Sequence, residues 1–465
     1  MTSLRDKSVL ILGLGETGLS LARYLDAQGA HLSVADSRPQ PPGVAILRRE
    51  LPRAEVHCGP FGDELLVGID RVAISPGVPL AEPLVQRAIA RGIPVDGDIE
   101  LLAQQLATND YRRNTKVIAI TGANGKTTVT SMVGAMCAAA GLDTQVAGNI
   151  SPAVLDALRG RRQQPQVWVL ELSSFQLETT STLNADAAAV LNVTEDHLDR
   201  YAGSMDNYAA AKARIFRGNG IQIVNRDDRR SAEMLISGRK HFSFGLDAPR
   251  AENEWGISRE GKVTWLMQGR QKVLRADELQ VSGMHNVANA LAALALCRSL
   301  GMPLQPLVRA LKAFTGLPHR VEEVARVAGV TYYDDSKGTN VGATEAALKG
   351  LGKAAVVILG GDGKGQDFSP LKQAVARHAR AAVLIGRDAP LIERALQGCG
   401  KPVLKARDMD EAVQIAAANA QAGDAVLMSP ACASFDMYKS YLHRAEVFIA
   451  AVRKLETEAA CSARH

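Results

Sequence analysis

The chain has 465 residues, more than one hydrophobic core fills, and this predicts about three domains. Its 46% hydrophobic and 22% charged residues are those of an ordinary globular protein. A formal charge of +5, scattered without a basic run or aromatic stripe, argues against nucleic acid as a partner. Six cysteines (Cys58, Cys137, Cys297, Cys399, Cys432 and Cys461) form no C-x-x-C pair, so neither a zinc site nor a disulfide framework is expected. No apolar stretch reaches the roughly 20 residues of a membrane span, and Met1–Lys7 lacks the shape of an export signal. A cytoplasmic location without membrane insertion is expected.

Three regions each open with a strand and a glycine loop. The first begins at Ser8–Leu12, continues through Gly13-Leu14-Gly15-Glu16-Thr17-Gly18, and then places Leu21, Tyr24 and Leu25 on one helical face. A second strand, Leu32–Ala35, leads into Asp36. Strands alternating with helices predict a doubly wound parallel sheet over residues 1–111, with a polar linker at Gln105–Arg113. The second region, 112–316, opens with Lys116–Ile120 and a second glycine loop, followed by Val129, Met132, Val133 and Met136 at helical spacing. Further strands are predicted at Val167–Leu170, Ala187–Leu191 and Ile221–Val224. Short antiparallel strands follow over His241–Val281, with a turn at Glu260-Gly261, and then helices over Asn286–Phe314. The third region, 317–465, carries strands at Ala354–Leu359, Ala381–Ile385 and Ala425–Met428 between helical stretches. The fold class is therefore α/β: a Rossmann-like first domain, a central P-loop parallel sheet with a small antiparallel part, and a Rossmann-like third domain.

The most informative motif is Gly122-Ala123-Asn124-Gly125-Lys126-Thr127-Thr128, between a strand and an amphipathic helix. Glycines let backbone N–H groups face a phosphate, and the helix N-terminus adds positive potential. Lys126 is placed to reach the β- and γ-phosphates of ATP, and Thr127 to offer a hydroxyl to Mg²⁺. The loop is two residues shorter than the usual pattern of this kind. Glu171, at the tip of one strand, and His197, after the next, stand where open α/β sheets place ligands. Gly13-x-Gly15-x-x-Gly18 with Asp36 fits a dinucleotide loop and fits a UDP-linked substrate equally well. An NAD-dependent oxidoreductase leaves the P-loop, Glu171 and His197 unexplained. A nucleotide switch or motor leaves the N-terminal loop without a use.

Taken together these strings resemble the Mur ligases over essentially the whole chain. The resemblance rests on Gly13–Ser20, Asp36-Ser37-Arg38 and Ser75–Val78 in the first region, and on Gly122–Thr128, Gly148–Ile150, Glu171–Glu178 and Thr194–Asp199 in the second. In the third it rests on Gly316–Arg320, Asp335-Ser336-Lys337 and Ser429–Asp436. It implies ATP-dependent joining of D-glutamate to UDP-N-acetylmuramoyl-L-alanine through an acyl phosphate, for cell-wall peptidoglycan; a family member adding another amino acid is the alternative. It implies that Gly15, Glu16, Thr17, Asp36, Ser37 and Gly77 hold the uridine diphosphate, with Asn149 near the reacting carboxylate. It implies an ATP site of Gly122, Asn124, Gly125, Lys126, Thr127, Thr128, Asn289, Arg320, Asp335 and Lys337. Two Mg²⁺ ions are implied on Thr127, Glu171, His197 and Lys212, the last N6-carboxylated; by its sequence alone Lys212 is an ordinary lysine in an alanine-rich helix. Lys126, His197, Lys212 and Asn149 are the implied catalytic set, and Thr339, Lys364, Ser434, Phe435 and Tyr441 the D-glutamate pocket of a monomer whose third domain closes after ATP binds.

Overall fold

The computed structural model describes residues 4–108, 115–161 and 163–462, the last three by backbone only. Three sheets follow one another along the chain. The first joins β1 (Ser8–Leu12), β2 (His31–Asp36), β3 (Glu55–Cys58), β4 (Arg71–Ile74) and β5 (Val95–Asp96) in the order β3-β2-β1-β4-β5. All its pairings are parallel. Strand order therefore reverses at β1, and the glycine loop leaves β1 at that switch point, where a crevice opens beyond the strand ends.

The second sheet takes β6 (Lys116–Thr121), β7 (Thr144–Gly148), β8 (Val167–Glu171), β9 (Ala187–Val190), β10 (Ile221–Asn225), β11 (His241–Phe244), β12 (Glu254–Glu260), β13 (Val263–Gln268) and β14 (Gln271–Arg275). Their order is β14-β13-β12-β11-β10-β9-β6-β8-β7. Only β12, β13 and β14 form the antiparallel part. The expectation of antiparallel strands from His241 onward is corrected at β11, which pairs parallel with β10. The connection between β10 and β11 carries the helix Arg229–Glu233, which returns the chain for parallel pairing rather than a hairpin.

The third sheet comprises β15 (Glu322–Val327), β16 (Val330–Asp334), β17 (Ala355–Gly360), β18 (Ala379–Ile385), β19 (Val403–Lys405) and β20 (Ala425–Met428), ordered β15-β16-β20-β17-β18-β19. Its opening hairpin turns at Ala328-Gly329, both with positive φ, the geometry that matches strand twist in a tight hairpin. Sequence patterning had not marked this hairpin. The helix Asp98–Leu106 runs into the start of the expected linker, while residues 109–114 lie outside those described. Among the described residues no helix is long and apolar enough to cross a membrane.

The cores divide unevenly. One continuous cluster fills a face of the first sheet and a face of the second together, running from Val9, Leu21 and Leu102 to Trp168, Leu170 and Phe216. The clusters on the two faces of the third sheet contain only residues from Val321 onward. The first two sheets share a core, whereas the third has its own.

Candidate active site

The first glycine loop depends on a close approach. A Cβ on Gly18 would stand 1.9 Å from the Gly13 carbonyl oxygen, so the helix Glu16–Ala27 seats on the loop only with glycine there. Asp36, at the end of β2, accepts the Leu14 N–H at 2.7 Å and is clamped by the Arg38 guanidinium. The Arg38 hydrogen bonds outweigh burial and hold its carboxyl down at about 2. Ser75 donates to the Gly13 carbonyl at 3.0 Å, tying the turn after β4 to the loop. These groups enclose a cavity of about 410 Å³ whose walls include Gly15, Glu16, Thr17, Asp36, Ser37, Gly77 and Asn149.

A second cavity of about 660 Å³ adjoins it, sharing Glu16, Thr17, Pro76 and Asn149 and reaching Thr127, Arg320, Lys337 and Tyr441. A third, of about 290 Å³, lies on the other side of the P-loop among Asn124, Gly125, Thr128, Asn289, Asp335 and Lys337. Gly125 has φ +83°, and a Cβ on it would meet Asn289 Oδ1 at 2.6 Å, so the P-loop touches the helix Met284–Ser299. Arg320 borders both of these cavities and donates to Thr127 Oγ1 at 2.7 Å.

At the centre lie charges that burial would disfavour singly. Lys126 folds back onto the Gly122 and Ala123 carbonyls at 2.9 Å each, and burial lowers its pKa. Lys212 is 1% exposed, donates to the Gly122 carbonyl at 2.9 Å, and has its pKa driven well below the ordinary range by burial and by the Lys126 charge. By its sequence an ordinary lysine, it is turned inward beside the P-loop by the alanine-rich helix Met205–Ala213. Glu171 accepts from Asn149 Nδ2 at 2.9 Å through Oε1, while its buried Oε2 has no hydrogen-bond partner among the described residues. His197 has φ +53°; burial, with Lys364 and Lys126 nearby, lowers its pKa against the pull of Asp196 and keeps the ring neutral.

The third sheet adds cations from its loops. Burial and Arg320 lower Lys337 to about 8, and its ammonium lies 3.9 Å from the Tyr441 ring centre. Burial raises Asp335 to about 7 although Ser429 donates to it at 2.6 Å. Lys364 pairs with Asp196 at 2.7 Å. Burial would raise the Asp196 pKa, but Lys364 and its other positive neighbours hold it low. Thr339, Lys364, Ser434 and Phe435 line none of the three cavities, and Phe435 is 75% exposed. Sequence reasoning overlooked Asp196, which accepts from Lys364 and Asn340, and His319, which pairs with Asp334 at 2.6 Å. Both stand inside strings quoted for the family resemblance.

A free carboxylate oxygen at Glu171, a neutral imidazole, a threonine hydroxyl and an amine with depressed pKa make an oxygen-rich and nitrogen-bearing donor set beside a phosphate-type loop. That set fits a hard divalent cation if the lysine carries a carboxylate.

Three family descriptions match the chain: Mur ligase MurD-like, N-terminal domain, over residues 7–97; Mur ligase middle domain over 120–297; and Mur ligase, glutamate ligase domain over 319–432. A UDP-N-acetylmuramoylalanine--D-glutamate ligase of Nitrosospira multiformis is 57% identical, covering 98% of this chain and 97% of its own. One from Aromatoleum aromaticum is 56% identical over 98% and 99%. The solved UDP-N-acetylmuramate-alanine ligase MurC of Thermotoga maritima matches the fold with TM-score 0.61 at 19% identity, over 96% of this chain and 99% of that one. Identity above one half along nearly the entire length, on a fold whose three parts match in the same order, makes this chain a member of the Mur ligase family.

Proposed function

We propose that the chain is an ATP-dependent ligase that joins D-glutamate to UDP-N-acetylmuramoyl-L-alanine, giving UDP-N-acetylmuramoyl-L-alanyl-D-glutamate, ADP and phosphate for peptidoglycan. The observation that carries this reading is the track formed by two cavities sharing Glu16, Thr17 and Asn149, which runs from the first glycine loop to Thr127 of the second. A long nucleotide-linked substrate fits such a track with its tail at Asp36, Ser37 and Gly77 and its reactive end at the P-loop. The relatives that share over half their residues with the chain carry this activity in their names.

A carboxylate is a poor electrophile, so ATP must activate it. A carboxylate oxygen of the alanyl end attacks the γ-phosphorus, the bond to the β-phosphate oxygen breaks, and ADP leaves. The D-glutamate nitrogen then adds to the acyl carbon. The tetrahedral intermediate collapses with loss of phosphate, and the amine proton goes to solvent. Lys126 turns from its loop carbonyls to the transferring phosphoryl group, and the Gly122–Thr128 backbone cradles the neighbouring phosphates. Asn289, Asp335, Arg320 and Lys337 receive the nucleoside and the rest of the triphosphate. Asn149, held by Glu171, orients the alanyl carboxylate.

Thr127, Glu171, His197 and an N6-carboxylated Lys212 would hold two Mg²⁺ ions, which supply charge neutralisation between the two anions brought together. The depressed pKa of Lys212 supports the modification, because only a neutral amine attacks carbon dioxide. Thr339, Lys364, Ser434, Phe435 and Tyr441 bind D-glutamate, with Lys364 moving from Asp196 to a substrate carboxylate. In this reading 1–111 binds the nucleotide tail, 112–316 the phosphates, and 317–465 closes over both. On the same reading the chain works as a monomer in the cytoplasm. The test is ADP formation with the UDP precursor, scanned over D- and L-amino acids. Turnover with D-glutamate alone is expected; turnover with L-alanine or a diamino acid instead would contradict the assignment.

A further inference from the structure

Arg200 bridges the central sheet's loops and the turn after β4. It belongs to the short 3-10 helix Leu198–Tyr201 directly after His197, and its N–H bonds the His197 carbonyl at 3.1 Å. Its guanidinium reaches out of the central region into the turn after β4. There Nη1 donates to the Pro76 carbonyl at 2.8 Å and Nη2 to the Val78 carbonyl at 3.3 Å, on either side of Gly77. Nη2 also donates to Glu178 Oε2 at 2.9 Å, with the two side chains 11% and 14% exposed. The guanidinium carbon lies over the Phe175 ring, 4.2 Å from its centre, and that ring meets the His197 imidazole edge-on at 5.1 Å.

Two carbonyls from one sheet's loop, and a carboxylate and an aromatic face from another's, thus converge on one rigid, always-charged plane. A lysine could keep the ion pair with Glu178, but it could not span both carbonyls while stacking on the ring. The carbonyls of Pro76 and Val78 flank the glycine on the wall of the 410 Å³ cavity, so this plane touches the cavity on one side and the support of His197 on the other.

We propose that Arg200 is a positioning residue that fixes the distance between the nucleotide-tail cavity and His197, by holding the Pro76–Val78 turn and the Phe175 ring in one frame. The proposal rests on the ligase reading above. A substrate anchored at one end and reacting at the other needs that distance constant, and a displacement of about 1 Å at the reacting end costs up to about a hundredfold in rate. Anchoring itself does not need Arg200, because the turn stays tied to the first glycine loop through Ser75.

The test is Arg200→Lys in the full chain, with steady-state kinetics for all three substrates and calorimetric binding of UDP alone. The expected result is a fall in kcat of about tenfold or more, with UDP affinity and the KM for ATP held within about threefold. A residue with a merely structural role would lower the unfolding temperature and leave kcat per folded molecule unchanged; that result overturns the proposal. Glu178→Gln is the second variant, decisive if Arg200→Lys does not fold. It keeps an acceptor but removes its charge, and a fall in kcat of about fivefold is expected; an unchanged kcat overturns the proposal equally. A wild-type chain that releases no phosphate overturns the ligase reading, and with it this role. A wild-type chain that turns over beside an unimpaired variant overturns the role of Arg200 alone.

Discussion

The central sheet meets its two neighbours in opposite ways. Toward the first sheet it shares one apolar core, and buried polar groups pair across the boundary: Glu100 accepts the Ser181 and Thr182 N–H groups at 2.7 and 2.9 Å, and Asp98 accepts from Gln176 at 3.1 Å. Toward the third sheet the links are polar: Arg320 to Thr127, Asn340 to Asn124 at 3.0 Å, and Lys364 to Asp196. Apolar burial has no substitute in water, so the first junction is permanent. Hydrogen bonds and ion pairs exchange readily with water, phosphates or carboxylates at little net free-energy difference. The second junction is therefore a seam that ligands can take over, and four of the groups forming it, Arg320, Thr127, Asn124 and Lys364, are those proposed for ATP and D-glutamate.

Four experiments break or sharpen this contrast. Lys126→Ala separates chemistry from both junctions, since its ammonium bonds only to loop carbonyls. Phosphate release should fall by about a hundredfold to a thousandfold while the unfolding temperature holds. Retained turnover would remove Lys126 from the mechanism. Leu102→Ala opens the shared core at a fully buried position, and a loss of about 3 kcal/mol should appear in a single transition covering the first two sheets. Leu384→Ala, in a core belonging to the third sheet alone, should shift a separate transition. If both variants moved one common transition, the contrast would fail.

Asp98 gives the pH-dependent test. It is 2% exposed, and burial raises its pKa from 3.8 to about 6. A folded pKa above the unfolded one means that its contribution is full below about pH 4 and lost as pH rises through about 6. Asp98→Asn should therefore flatten the dependence of stability over that window and add about 2 kcal/mol at pH 7.5, read from denaturant midpoints. A variant less stable than wild type at pH 7.5 would contradict the burial argument. The smallest effect is that of salt. About 0.5 M sodium chloride should speed amide exchange near Asn340 about threefold and leave the helix Asp98–Leu106 unchanged. Equal responses at the two places would erase the distinction.

The parts of the molecule legible in the sequence are those whose cause is local. The two glycine loops, their flanking strands and the helix Lys126–Ala139 follow from short-range periodicity and from backbone that only glycine supplies. The hairpin of β15 and β16 carried no apolar alternation to mark it, since β15 buries only its last residue, Val327. The parallel course of β11 depended on what the intervening residues do in space. Lys212 was assignable only through the family resemblance, because nothing within its helix reveals that Gly122, 90 residues earlier, would receive its ammonium. Asp196 and Arg200 escaped for the same reason, with partners 168 and 124 positions away in Lys364 and Pro76. Residues that act across a domain boundary leave no mark on their own neighbours in sequence.

The fate of oxygen tests the proposed chemistry most directly. If the alanyl carboxylate of the UDP precursor is labelled with ¹⁸O and turned over with D-glutamate and ATP, the attacking oxygen must leave with the phosphate. One labelled oxygen in the released phosphate, matched to the peptide formed, is the expected result. Unlabelled phosphate, or phosphate released without D-glutamate, would show that ATP is hydrolysed rather than spent on the amide bond.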